Sequence, residues 1–131
     1  MIYGNGGKML TIINLTPHTI KLNNCFSEKE FPPSGMVARV SAQFSLTTSP
    51  ELLKEEIYIY TVEYGEIEGL PEPKEDTLYI VSAMVLEAGE RMGRNDLLAP
   101  ATGHPETVRN EQGQIVSVPG FVITENIKLN K

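Results

Sequence analysis

The chain lacks tryptophan altogether and has a single cysteine in its 131 residues. With no second thiol, Cys25 cannot close an internal disulfide, which suits a reducing compartment. Aromatics make up 7 % of the chain, so a core must come mostly from isoleucine, leucine and valine. No apolar run approaches the ~18 residues of a membrane span. The opening "MIYGNGGKM" lacks the apolar stretch of a signal peptide, so a cytoplasmic location is expected and export is not. No P-loop, G-x-G-x-x-G, G-x-S-x-G or H-E-x-x-H occurs. The two histidines, His18 and His104, stand far apart with no partner histidine, which argues against a metal site. Bases are outnumbered by acids, giving a net charge of −6. Such a body disfavours long nucleic acid, whose affinity needs many phosphate contacts, but leaves room for a small phosphorylated ligand.

What is present is unevenly placed. Residues 1–50 net +2, residues 51–90 net −9 and residues 91–131 net +1. Three of the four arginines, Arg91, Arg94 and Arg109, stand in or just before the polar stretch "GRNDLLAPATGHPETVRNEQGQ"; the fourth, Arg39, is distant.

Length and uniform composition suit one ligand-binding domain over 9–131. Residues 1–8, with three glycines and an asparagine, read as a flexible leader. "LTIINLTPHTIKLNN" reads as strand, turn at Leu15–His18, strand. "PPSG" is a second turn, and "MVARVSAQFSL" alternates Val37, Arg39 and Ser41 against Ala38, Val40 and Ala42, as a strand does. Ser49 before Pro50 predicts a short helix. "IYIYTVEY", Ile57 to Tyr64, is β-branched and aromatic and predicts a strand. "GEIEGLPEPKED" predicts a loop, and "TLYIVS" a strand. Ser82 is set to cap a helix over Ala83–Arg91, with Val85, Leu86 and Met92 toward the core and Gly93 at its end. "QIVSV" and "FVITENIKL" read as closing strands around Pro119–Gly120. The class expected is α+β, mainly antiparallel β-sheet with one or two short α-helices.

Arginine offers a fixed fork of donors that fits phosphate oxygens. Asn95, Thr102, Thr107 and Asn110 add neutral partners, and a helix starting at Ser82 adds amides that attract anions. The alternative is that the arginines pair with the acidic middle of the chain, as surface ions commonly do. The acidic run Glu63, Glu66, Glu68, Glu72, Glu75 and Asp76 fits no calcium loop and reads as solvated surface. Cys25 and His18 are a nucleophile and base by type, yet no orienting third residue stands at a recognisable spacing.

Five stretches in order, "INLTPHTIKL", "FPPSGMVARV", "YGEIEGLPEPKEDTLYIVSAMV", "RNDLLAPATG" and "VRNEQGQIVSV", resemble small phage and prophage proteins of the first Thoeris anti-defence family. They cover most of residues 10–118. Members of that family are sponges. They bind the cyclic ADP-ribose signal that a bacterial TIR enzyme makes on infection and hold it uncleaved; some also hold cyclic oligonucleotides. The resemblance implies a protein of the infected host's cytoplasm, with no enzymatic activity and no cofactor. It also implies a homo-oligomer built from dimers, up to a hexamer, with pockets at subunit boundaries. It implies an aromatic or apolar side chain against adenine, where members can carry phenylalanine and this chain offers Met84 and Val85. Asn95 and Arg109 match the polar part. The expected ligand residues are Met84, Val85, Arg91, Arg94, Asn95, Thr102, Arg109 and Asn110, with Arg39 and Lys21 for a second, cyclic oligonucleotide site. Two other readings stay open: an enzyme that degrades such nucleotides using Glu106, Asp96 or His104 as base, and a phage accessory protein with no nucleotide ligand.

Overall fold

A computed structural model describes residues 2–5 and 8–124. The elements run β1 Ile2–Asn5, β2 Lys8–Asn14, β3 Ile20–Asn23, β4 Glu28–Phe31, β5 Arg39–Leu46, α1 Pro50–Lys54 and β6 Tyr60–Glu68. Then follow β7 Thr77–Ile80, α2 Ala83–Arg91, β8 Leu97–Pro100, β9 Val108–Arg109, β10 Ile115–Ser117 and β11 Phe121–Val122. The class is α+β as expected, and five of the seven strand pairings among the described residues are antiparallel.

The largest sheet has five strands in the order β1-β2-β7-β8-β11. Its middle is parallel: β2 with β7, and β7 with β8. Parallel neighbours cannot be joined by a hairpin, and α2 makes the crossover from β7 to β8. The sequence explains why β7 is central. Tyr79, Ile80 and the following Val81 are consecutive and all fully buried, the continuous apolar run of a strand covered on both faces. The Tyr79 hydroxyl escapes an unpaired burial by donating to the Glu72 carbonyl at 3.3 Å.

Helix α2 starts where Ser82 accepts the Val85 amide at 3.2 Å. Val85, Leu86, Ala88 and Gly89 are its buried face. Val85 and Leu86 pack with Leu15, Ala38, Tyr79, Val81, Leu97 and Ala99, and Val40, Ile67 and Leu70 close the margin. Gly93, at φ +83°, ends the helix in the left-handed region that favours glycine. Met92, the C-cap residue just before it, is 61 % exposed, so it is not the core residue expected.

Four other expectations need correction. Ile2–Asn5, expected to be loose, pair with β2, whose open edge offers unpaired backbone groups. "RNDLLAPATG", expected to be a polar ligand segment, contains the buried strand β8: Leu97, Leu98 and Ala99 are all core. The strand expected over Ile57–Tyr64 begins instead at Tyr60 and continues through Glu68. The register shifts opposite Ser41, where Val40–Ala42 of β5 face Ile67–Tyr64 with one extra residue in β6, and this bulge returns Ile67 to the core. Finally, the last expected strand is confined to Phe121–Val122 among the described residues; its remainder from residue 125 lies outside them.

Candidate functional site

The site begins with a polar lock made by "NLTPH". Asn14 is buried and uses every hydrogen-bonding group of its amide. Its Nδ2 donates to the His18 carbonyl at 2.7 Å and the Phe31 carbonyl at 2.8 Å. Its Oδ1 accepts from the Thr16 amide at 2.9 Å and the Thr16 hydroxyl at 2.7 Å. The turn between β2 and β3 is thereby fixed, so His18, Thr19 and Ile20 leave it in a set direction. His18 takes part in the turn as expected, though through its main chain.

Beyond the turn lies a cleft of about 640 Å³, within the range of small-molecule pockets. One wall is the start of β3, residues 18–21; the other is the strand β10 and its approach, residues 113–118, with Pro100, Thr102 and Arg109 beneath. The walls are tied together at one end. The Val118 amide donates to the Lys21 carbonyl at 2.9 Å, and the Asn23 amide donates to the Val118 carbonyl at 2.9 Å.

Two cations line this cleft and no carboxylate does. Arg109 donates Nη1 to the Gly113 carbonyl at 2.9 Å and Nη2 to the Thr102 carbonyl at 3.3 Å. Those contacts orient the guanidinium without neutralising it, and among the described residues it makes no ion pair. Lys21 stands 3.9 Å from Glu30, with both side chains more than half exposed, a pair of little energetic weight.

The other expected residues are distributed elsewhere. Met84 and Val85 line a shallow groove of about 400 Å³ with Arg39, Pro17, Val37 and Ser82. Met84 is exposed there, whereas Val85 is 1 % exposed and belongs to the core. Arg91 lies over the Tyr64 ring, 5.4 Å from its centroid, a cation–π contact. Arg94 is bound by both its Nε and Nη2 to Asp96, at 3.0 and 2.9 Å. The two side chains are 14 % and 11 % exposed, so this guanidinium is already matched. Asn95 is exposed between α2 and β8. Asn110 is occupied by its own turn: Oδ1 accepts the Gln112 and Gln114 amides, and Nδ2 donates to Gln114 Oε1.

Within one chain the three clustered arginines therefore go to three places. Sequence nearness misleads because β8, between Arg94 and Arg109, crosses the core. Arg39 and Lys21, grouped by expectation, also separate, one to the groove and one to the cleft. The cleft residues that the sequence did not bring forward are the walls, Thr19–Ile20 and Ile115–Val118. Their signal was the pair of strand patterns, "TIKL" and "QIVSV", but nothing local says that these two meet.

Of the candidate bases, Asp96 is held by Arg94. His104 Nδ1 accepts the Glu106 amide at 3.0 Å, and neither residue lines the cleft. Cys25 is exposed in the β3–β4 turn, and the four residues of β3, about 13 Å of extended strand, stand between it and His18. Among the described residues no group of three His, Cys, Asp or Glu can hold a metal ion, and no helix is long and apolar enough to cross a membrane. No family model, curated protein or solved structure matches the chain.

Proposed function

We propose that the chain is a non-catalytic sponge for cyclic ADP-ribose-type nucleotides, extending to cyclic oligonucleotides, that blocks TIR-based Thoeris immunity in the infected host's cytoplasm. One observation carries the reading. In a chain of net charge −6, the cleft between β3 and β10 carries Lys21 and Arg109 and no acid. A pyrophosphate between these two cations gains charge-assisted bonds, with the Thr102 and Ser117 hydroxyls available for ribose. Ile20, Ile115 and Val116 offer apolar surface for a base.

Nanomolar holding requires about 12 kcal/mol. An open cleft with two cations falls short of that, and a neighbouring copy that excludes water strengthens every polar contact. The proposed assembly is a homo-oligomer built from dimers, in which exposed Asn95 joins the pocket from an adjacent subunit. Ligand shared between two chains then stabilises the assembly by mass action.

The test is to incubate the protein with cyclic ADP-ribose isomers, remove free nucleotide, denature by heat and analyse what is released. Intact nucleotide supports sequestration. A converted product means an enzyme, and no retained nucleotide removes the reading. Arg109→Ala and Lys21→Ala are each expected to weaken binding by about 10- to 100-fold, the loss of one charged hydrogen bond. Asn95→Ala is expected to weaken it also, and wild-type affinity there would remove Asn95 from the pocket.

A further inference from the structure

Strands β5 and β6 form a ribbon whose two faces differ. The pairs Phe44–Val62 and Leu46–Tyr60 stand on one face; Gln43–Glu63 and Ser45–Thr61 stand on the other. The first face is apolar and the second polar. Its inner end is covered: Val40 and Ile67 pack against the core. Its outer end is bare. Phe44 is 68 % and Tyr60 55 % exposed, and Leu46, Val62 and, just before β6, Tyr58 are exposed with them.

An isolated two-stranded ribbon is marginal in water. Here the outer half gains nothing from the tip, because α1 buries no side chain. Its ordering rests on cross-strand contacts such as the edge-on Phe44–Tyr60 pair, with ring centroids 6.3 Å apart. A contiguous bare apolar face continuous with a core is the mark of a surface that is covered by something else.

We infer that the outer apolar face of the β5–β6 ribbon is covered by the same face of a second copy of this chain, related by a two-fold axis. The inference rests on the homo-oligomer reading above and names its surface. Two features select a second copy. No charged residue interrupts Phe44, Leu46, Tyr60 and Val62, so two such faces meet without burying an ion. The size is right as well. Five half-bare apolar side chains leave on the order of 500 Å² per copy, most of the roughly 800 Å² each partner gives to a standard interface.

The test measures mass by sedimentation equilibrium on the full chain without nucleotide, over a dilution series, for wild type and Phe44→Thr/Tyr60→Thr. Threonine keeps the preference for a strand while removing the apolar bulk. The expected result is a wild-type dimer or larger even assembly, and a variant with at least a 10-fold weaker association and an unchanged far-UV spectrum. A monomeric wild type at every concentration overturns both this inference and the homo-oligomer reading, and leaves the face to a different partner. A variant that assembles like wild type overturns the ribbon alone. Should the variant not fold, hydrogen exchange on wild type decides. Amides of residues 40–46 and 60–66 must lose protection on dilution, and protection independent of concentration overturns the inference.

Discussion

Replacing Asn14 by alanine removes all four bonds of the lock at the end of β2. The consequences can be traced group by group. The Thr16 hydroxyl, released from Asn14, can donate its one proton to the His18 carbonyl 3.1 Å away. The Thr16 amide, in a buried residue, loses the acceptor 2.9 Å away. An orphaned buried amide costs about 1–3 kcal/mol and the two other bonds lost without replacement about 1 each, so Asn14→Ala should cost about 3–5 kcal/mol. That is a large part of the ~5–15 kcal/mol of a typical domain, and for a chain of this size it lowers Tm by roughly 10–15 °C. Thermal and urea unfolding followed by circular dichroism measure it, with an unchanged m-value expected. A drop of under about 3 °C would refute the argument that the amide is a structural lock.

Asn14→Asp sharpens this. It keeps acceptors for both Thr16 donors but sets carboxylate oxygens against the His18 and Phe31 carbonyls. Burial and those carbonyls raise its folded-state pKa above the unfolded value of about 3.9. The native state then holds the proton more tightly, so stability falls as pH rises from the unfolded toward the folded pKa. Asn14→Asp should therefore be nearest to wild type in acid and farthest near neutrality. A stability difference that stays flat between about pH 4 and pH 7 speaks against it.

Three further outcomes are expected. Arg94→Ala leaves the Asp96 carboxylate nearly buried and unpaired, costing about 2–4 kcal/mol by chemical denaturation; nucleotide affinity should stay as in wild type, and a loss of affinity at unchanged stability would reverse that assignment. Gly69→Ala should cost about 2 kcal/mol or more, because φ is +80° and a Cβ would collide with the Val37 carbonyl; a Tm equal to wild type counts against it. Ser49→Ala removes the cap on α1, where Ser49 accepts the Leu52 amide at 3.2 Å. The loss of about 1 kcal/mol should appear as faster hydrogen exchange at residues 51–55, with little change in global Tm.

Both helices were legible because their starts are written locally, as Ser49–Pro50 and as Ser82 before an apolar stripe. The strands around "TPH" were equally legible, since alternation and a proline turn are short-range signals. β8 was not. Four residues, "LLAP", carry no period that separates a buried strand from a loop, and the arginines on either side drew the reading toward ligand chemistry. The ribbon boundary shifted for a related reason. "GEIE" looks like loop by composition, and only the bulge opposite Ser41 shows how Ile67 rejoins the core. The candidate site was legible in kinds of residue, Arg109, Thr102 and Lys21 among them, but not in grouping. Grouping depends on β3 meeting residue 118, almost a hundred positions later, and no spacing rule reaches that far.

The parallel pairing of β2 with β7, with Thr11 opposite Thr77, has a consequence during synthesis. Ile12 and Ile13 leave the ribosome early, yet their neighbouring strand follows more than sixty residues later, several seconds at about 5–20 residues per second. The two hairpins between them are local and can close first. Nascent chains arrested before residue 77 should thus keep β2 open to protease, while chains extended past residue 100 and clear of the exit tunnel should not.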